Sequence, residues 1–512
     1  MGVLPHGRRA VFILFAGLPV RGALAHRRSP KTNLLMARLN QAEKSRTLSG
    51  HTFWYLLARG GPALVSFISV IAFARILGPQ EYGTYSLLIV AATTGNIVLF
   101  QWLRLSLLRF YPAFRDAPET VIRSVLRCFG WLSAGVVAFA GIALYVAGDA
   151  FHRIDYAIAI PVTVLVAWIE LSLELKRANL EPKVYGAVML LRAVLILVLG
   201  VAMIAWRRSS DALLESTFVA LFVTAAVCTR FWRNFDLRKP TENIARELLR
   251  YGLPLTPAFA FNFFLSGFDR FFLGKVAGAS AVGQYAAGAD IALQSLGVVL
   301  MSINLASYPL IVRAHESDDR AAVRGGLERN LLFYCLLATP LVIVFLCQSA
   351  SIIHVLFGTR YSGATANVLS IAALSAIVFG LKNGHFDIAF SLARRTELSL
   401  LPNALGATAC VAAHLVLTPR YGAVGAALSS LVGYTTALVA SATVGRRFID
   451  IPVATAGCVR VLFCAVPMAV LLLWIGTVST LLELSIAIAA ATLLFYGACY
   501  LALKPNRISE VA

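Results

Sequence analysis

Apolar runs of about 20 residues, the length that crosses a bilayer as a helix, follow one another along most of this chain. That leaves few folds open. Inside lipid every backbone N–H and C=O must be satisfied within the chain, so such runs become helices. Composition agrees: 59% of the 512 residues are hydrophobic and 14% are charged, with a mean hydropathy of +0.77. Soluble domains carry roughly a quarter charged residues. A membrane β-barrel would show alternating segments of about 10 residues, and the sequence has none. The reading is an all-α polytopic membrane protein of about 14 transmembrane helices, counted by run length.

One joint between runs recurs. Arg75-Ile-Leu-Gly-Pro-Gln-Glu-Tyr-Gly-Thr-Tyr85 and Lys275-Val-Ala-Gly-Ala-Ser-Ala-Val-Gly-Gln-Tyr285 share a basic residue, two glycines and a tyrosine in one register. Each copy closes one apolar run and opens the next, and we read it as a turn. Basic residues cluster at alternate joints: Arg109, Arg115 and Arg123; Lys176, Arg177 and Lys183; Arg230, Arg233, Arg238, Lys239 and Arg246; Arg313, Arg320, Arg324 and Arg329; Arg394 and Arg395; and Arg446 and Arg447 stand on one side, against His152, Arg153, Arg207, Arg208, Lys275, Arg360 and Arg420 on the other. This bias places both termini in the cytoplasm. Each half then holds an even number of helices and starts on the same side, so the repeat is parallel, about an axis along the membrane normal. Residues 36–235 and 251–445 are expected to be two six-helix lobes. The segment 236–250 is a basic connector, and 446–512 adds two helices and a short tail. Within 1–35, Arg8-Arg9, the apolar run 10–20 and Ala23-Leu24-Ala25 mimic a signal peptide. The preferred alternative is a working start at Met36.

The net charge of +20 raises nucleic-acid binding, but the Lys and Arg residues sit in short loops where they set orientation. No nucleic-acid partner is expected. The eight cysteines are scattered, mostly within apolar runs, and have neither metal-ligand nor disulfide spacing. No P-loop is present. Gly422-Ala-Val-Gly-Ala-Ala427 opens a membrane helix with no strand before it, so its glycines read as helix packing. The expectation is a transporter rather than an enzyme, with no catalytic residues, metal or cofactor.

Charges within the runs are the candidate site, because a charge at membrane depth usually faces a cavity or a partner. The basic candidates for substrate binding are Arg59, Arg104, Arg192, Arg270 and Lys382, together with His385; for Arg104, Arg192 and Arg270 the competing role is an interfacial anchor. The candidates for ion coupling are Asp269, Asp290 and Asp387, with a structural ion pair as the competing role for each. Glu170 and Glu174 also lie in a run. Lys382 and His385 share one helix face at i, i+3, and Asn383 and Asp387 share another at i, i+4; the group is expected to line a cavity. Adjacent Asp269 and Arg270 should take separate partners. Trp102 and Tyr55 are candidates to stack on a ligand, against a plain packing role.

The segment Ala74–Leu88, the pair Asp269-Arg-Phe-Phe-Leu-Gly274 and Val282-Gly-Gln-Tyr-Ala-Ala-Gly288, then Leu356-Phe-Gly-Thr-Arg-Tyr361 and Leu417-Thr-Pro-Arg-Tyr-Gly-Ala-Val-Gly-Ala-Ala427 occur in order. Together they resemble bacterial polysaccharide flippases of the multidrug/oligosaccharidyl-lipid/polysaccharide exporter superfamily, over about residues 40–505. The resemblance implies a V-shaped, two-lobed fold with a basic central cavity. It also implies transport of an undecaprenyl-pyrophosphate-linked oligosaccharide across the bacterial inner membrane, for O-antigen, capsule or exopolysaccharide. Membrane lipids and a polysaccharide polymerase or other assembly proteins are the implied partners. Rival readings are a cation-coupled multidrug antiporter or a lipid II flippase of the same superfamily. A membrane polysaccharide polymerase or ligase is the alternative from another class.

Overall fold

Several joints among the described residues turn on a glycine with positive φ: Gly78, Gly278, Gly358, Gly422 and Gly476. The computed structural model describes residues 60–114, 116–147, 153–233, 235, 244–361, 363–452 and 456–503. The N-terminal segment with Met36, Tyr55 and Arg59, and part of the 236–250 connector, lie outside the described residues. The described residues belong to one compact unit and contain no strand.

The first half comprises α1 (Gly60–Leu77), α2 (Pro79–Phe110), α3 (Pro118–Ala147), α4 (Arg153–Ala178), α5 (Pro182–Trp206) and α6 (Ser210–Thr229). A short α7 (Ala245–Gly252) leads into α8 (Thr256–Ser266), α9 (Phe268–Glu316), α10 (Arg320–Cys347) and α11 (Ser349–Phe357). Then come α12 (Gly363–Leu381), a π-turn (Lys382–Phe386), α13 (Ile388–Leu392), α14 (Leu400–Gly445), α15 (Ala456–Ile475) and α16 (Leu481–Leu503). Among the described residues, twelve stretches are long and apolar enough to cross a membrane. The sequence expectation, about 14 by run length, divides two of these that the structure joins through single residues. The α9 stretch departs from helical geometry at Gly278 and the α14 stretch at Gly422.

Both long stretches fold back on themselves. Residues 20 apart on a straight helix lie about 30 Å apart, yet Arg270 is ion-paired to Asp290. Likewise a Cβ on Gly433 would come within 2.6 Å of the Cys410 Cβ. The turn between α1 and α2 has the same form, with the rings of Phe73 and Tyr85 6.3 Å apart. The repeated joint is repeated in conformation too: Gly78 has φ 81°, ψ 175°, and Gly278 has φ 80°, ψ 174°. That region of backbone space is essentially glycine-only.

The two copies also pack against each other. A Cβ on Gly83 would run into the carbonyl oxygen of Ala279, and a Cβ on Gly283 into that of Pro79. Positions 79 and 279 correspond in the repeat, so the contact is reciprocal, as about a two-fold axis. Small residues permit this backbone-to-backbone approach of helices. The turn Leu356–Tyr361 closes over the same end. Tyr361 Oη donates to the Ala74 carbonyl (3.0 Å), which also accepts from Gly78 N–H (2.9 Å), and the Arg360 guanidinium donates to the carbonyl of Ile76 (3.3 Å) in the last turn of α1, where helical partners run out. The added helices α15 and α16 contribute Val461, Met468, Leu472, Phe495 and other residues to the core built on α9, α10 and α12. The Gln348 amide pins α15 by donating to Leu472 O and Gly476 O (2.8 and 2.9 Å).

Because the Gly83 and Gly283 contacts are reciprocal, Gly83→Val and Gly283→Val should each destabilise the protein by about 1–3 kcal/mol. The two variants should show matched falls in thermal midpoint in detergent. A fall in one with the other unchanged would contradict the reciprocal packing.

Candidate functional site

Two cavities lie side by side along α9, one in each half. The first, about 810 Å³, is walled by α1, α2, α4, α5 and α6 and by Leu293, Gln294, Gly297, Val298 and Met301 of α9. The second, about 520 Å³, is walled by α9, α10, α12 and α14. Leu293, Gly297 and Met301 belong to both walls. A third, of about 390 Å³, has Gln294 in common with the first and Arg270 in common with the second.

In the first cavity Arg104, Glu170 and Arg192 meet. α2 supplies Arg104 about six residues from its end, and α5 supplies Arg192 about 15 Å from its start at the helical rise, close to half the thickness of a hydrocarbon core. Glu170 of α4 stands between them, 3.1 Å from Arg104 and 2.9 Å from Arg192. Arg104 also reaches Glu174 (3.3 Å) and the Gln101 side-chain oxygen (2.7 Å), and Arg177 approaches Glu174 from the outer side (3.5 Å). All but Arg177 are largely shielded. The lining therefore has two guanidinium groups to one carboxylate, and both guanidiniums are already engaged. The uncompensated basic surface that the resemblance implies is, among the described residues, an arginine pair bridged by Glu170.

Between the halves, Arg270 pairs with Asp290 and donates to Ser86 Oγ (2.6 Å), and Tyr82 Oη donates to Asp290 (3.3 Å). Asp269 faces another way, accepting from the Tyr285 hydroxyl and from the Arg270 backbone N–H (2.7 Å). Adjacent on one helix, the two residues take separate partners. Both also line the second cavity.

Lys382, His385 and Asp387 are arranged differently from the sequence expectation. The π-turn advances the chain by i, i+5, so Lys382 Nζ pairs with Asp387 (2.7 Å) rather than sharing a face with His385. Asp387 also accepts from Ser441 Oγ. Lys382 is 2% exposed. His385 is fully buried, with Nε2 2.9 Å from Pro452 O and Nδ1 3.4 Å from the Asn330 amide. Neither side chain is part of the lining of the three cavities; their neighbours Asn383 and Gly384 line the second one. Gly384 is required there because a Cβ would overlap the Tyr334 hydroxyl.

The sequence reading passed over the aromatic residues of the second cavity, Tyr285, Tyr334, Phe379 and Tyr434. It offered Trp102 instead, which is buried against Leu107, Val121, Leu171 and Leu248 in a core cluster. Nothing in the local pattern of an apolar helix separates a cavity-facing tyrosine from a packed one.

The sequence model of the family described as "Polysaccharide biosynthesis protein" matches residues 72–366. A Shigella flexneri protein named "Putative O-antigen transporter" is 22% identical over 397 residues, covering 74% of this chain and 93% of that protein. An uncharacterized membrane protein of Methanocaldococcus jannaschii is 25% identical over 194 residues, and the match spans 38% of that protein's length. Among solved structures, the lipid II flippase MurJ in an inward closed conformation aligns with a TM-score of 0.72 at 11% identity, covering 88% of this chain and 99% of that one. A mutant of the Vibrio cholerae MATE transporter VcmN aligns with a TM-score of 0.53 at 17% identity, covering 79% and 97%. At such identities the structural likeness speaks for the fold alone.

The buried Lys382–Asp387 pair makes a stability prediction. Lys382→Met leaves Asp387 without its cation and should cost about 3–5 kcal/mol, whereas the double variant Lys382→Met/Asp387→Leu should recover much of that loss. Thermal unfolding of the purified variants measures both. An undiminished midpoint in Lys382→Met would return this lysine to the list of ligand-binding groups.

Proposed function

The chain belongs to the polysaccharide biosynthesis protein family, and from that premise we propose that it is a flippase for an undecaprenyl-pyrophosphate-linked oligosaccharide. It moves this cargo from the cytoplasmic to the periplasmic leaflet of the bacterial inner membrane by alternating access, with both termini in the cytoplasm. The observation that carries the reading is the convergence of Arg104 and Arg192 on the 810 Å³ cavity. The cargo has a polyprenyl tail that stays in lipid and an anionic, hydrophilic headgroup that cannot. Its crossing needs an enclosed polar path with groups that grip phosphate. Guanidinium groups do so bidentately.

Glu170 has a defined part in this mechanism. It bridges both arginines, so neither cation waits unpaired in a low-dielectric surround, where an isolated charge is costly. A pyrophosphate carries more negative charge and more acceptor oxygens than one carboxylate, and it takes over these contacts on entry. The Gly83–Gly283 contact lies at the end that carries the Gly78 and Gly278 turns. By the loop charges this is the periplasmic end, so release of the headgroup requires that contact to part. Arg270 and, beyond the described residues, Arg59 are further candidates along the path. Lys382 and His385 support its wall. Asp290 and Asp387 are held in ion pairs, which supports structural duties for them and Asp269 as the coupling carboxylate.

Cells lacking the protein should accumulate the lipid-linked oligosaccharide and lose the corresponding surface polysaccharide. The pair Arg104→Gln/Arg192→Gln, at wild-type protein levels, should lower export by at least about 10-fold, the equivalent of one lost charged hydrogen bond. Extraction and mass analysis of the accumulated lipid identifies the cargo. Lipid II in its place would make the protein a lipid II flippase, and lost drug efflux with no accumulated lipid would make it an antiporter.

A further inference from the structure

We propose that the second cavity is a sugar-binding chamber that selects the oligosaccharide, while the Arg104–Arg192 cavity holds the phosphates. The proposal rests on the cargo assigned above. Its own ground is the contrast in chemistry between two neighbouring spaces.

The second cavity holds one acid and one base, Asp269 and Arg270, and both are engaged: Asp269 by Tyr285, and Arg270 by Asp290 and Ser86. The buried ammonium of Lys382, one layer behind the wall, is neutralised by Asp387. A phosphate finds a single guanidinium there, where the first cavity brings two to one space. What the wall offers is flat apolar surface and neutral polar groups. Phe379 and Tyr434 stand with their rings 5.0 Å apart, and Tyr334 joins them in the lining. All three rings present apolar faces, and the two tyrosines add a polar tip. The amides of Asn304 and Asn383 and the hydroxyls of Ser375 and Ser430 stand around them. The two serine hydroxyls donate to the Ile371 and Ala426 carbonyls (3.0 and 3.3 Å) and keep lone pairs to accept, while the two amides have N–H groups to donate, and sugar hydroxyls can meet both. An apolar wall with a few convergent polar groups is the usual form of a small-molecule site, and 520 Å³ falls within the usual range of about 300–1,000 Å³.

The two spaces are joined in a way that suits one ligand in two parts. Leu293, Gly297 and Met301 line both. A Cβ on Gly297 would meet nothing within 4 Å, so at this residue α9 presents bare backbone between the cavities. The π-turn completes the chamber by directing Asn383 and Gly384 into it and Lys382 into the wall. In this arrangement the arginines recognise what all such cargo lipids share, and the second chamber reads the sugars that differ.

The test is binding to the full-length protein in nanodiscs, followed by intrinsic fluorescence. Two probes are used: the saccharide-bearing lipid pyrophosphate purified from cells lacking the protein, and undecaprenyl pyrophosphate. The wild type should bind the saccharide-bearing probe at least about 10-fold more tightly. Ser375→Leu, which narrows the chamber, and Asn304→Ala, which only removes an amide, should shrink that preference to about twofold or less. Both should leave undecaprenyl pyrophosphate binding unchanged. Arg104→Gln/Arg192→Gln should weaken both probes alike. The sugar chamber is refuted if the wild type shows no preference, if the chamber variants keep it, or if they weaken both probes equally. Failure of the wild type to bind either probe would instead overturn the cargo assignment beneath it.

Discussion

A charge surrounded by hydrocarbon has to find a partner, and that requirement organises the polar interior of this protein. Arg104, Arg192, Glu170 and Glu174 tie α2, α4 and α5 together. Arg270 and Asp290, with Ser86 and Tyr82, tie the first half to the second. Lys382 and Asp387, with Ser441, tie the π-turn to α14. Each network removes freedom from the helices it joins, so the apolar surfaces between them need only fill space. Only where a network borders a cavity does it also become a place for a ligand to exchange contacts.

The sequence made the helices and the repeated joint legible, because run length and glycine placement follow directly from the bilayer and from backbone sterics. It placed Asp269 and Arg270 on different partners for the same reason. It did not reveal the partners themselves. Glu170 and Arg192 lie on different helices, and the faces of apolar helices carry no stripe that says which neighbour each meets. The π-turn was hidden too: reading 382–387 at ordinary helical spacing separated Lys382 from the aspartate it contacts. The joint was read only as a turn, although its second glycine serves the packing of one half on the other.

The fold is shared with a lipid II flippase and a MATE transporter, so it does not by itself choose a cargo. The choice falls to local chemistry. Two guanidiniums against one lining carboxylate suit an anion, and a neutral chamber of rings, amides and hydroxyls suits the uncharged remainder of an amphiphilic sugar lipid.

The reciprocal glycine contact has a consequence for symmetry. It is the contact that two identical bundles would make about a shared axis, where one glycine would serve both sides at once. In a single chain the two positions are separate letters, and their surroundings differ. Pro79 faces Gly283 where Ala279 faces Gly83. Tyr82 reaches Asp290, while the corresponding positions of the other pairing hold Val282 and Val90, which have no polar atoms to offer. The backbone seal is thus two-fold while its polar latch is one-sided. Parting the halves here would break the Tyr82–Asp290 hydrogen bond on one flank with no counterpart between Val282 and Val90 on the other, so the two flanks would not yield alike.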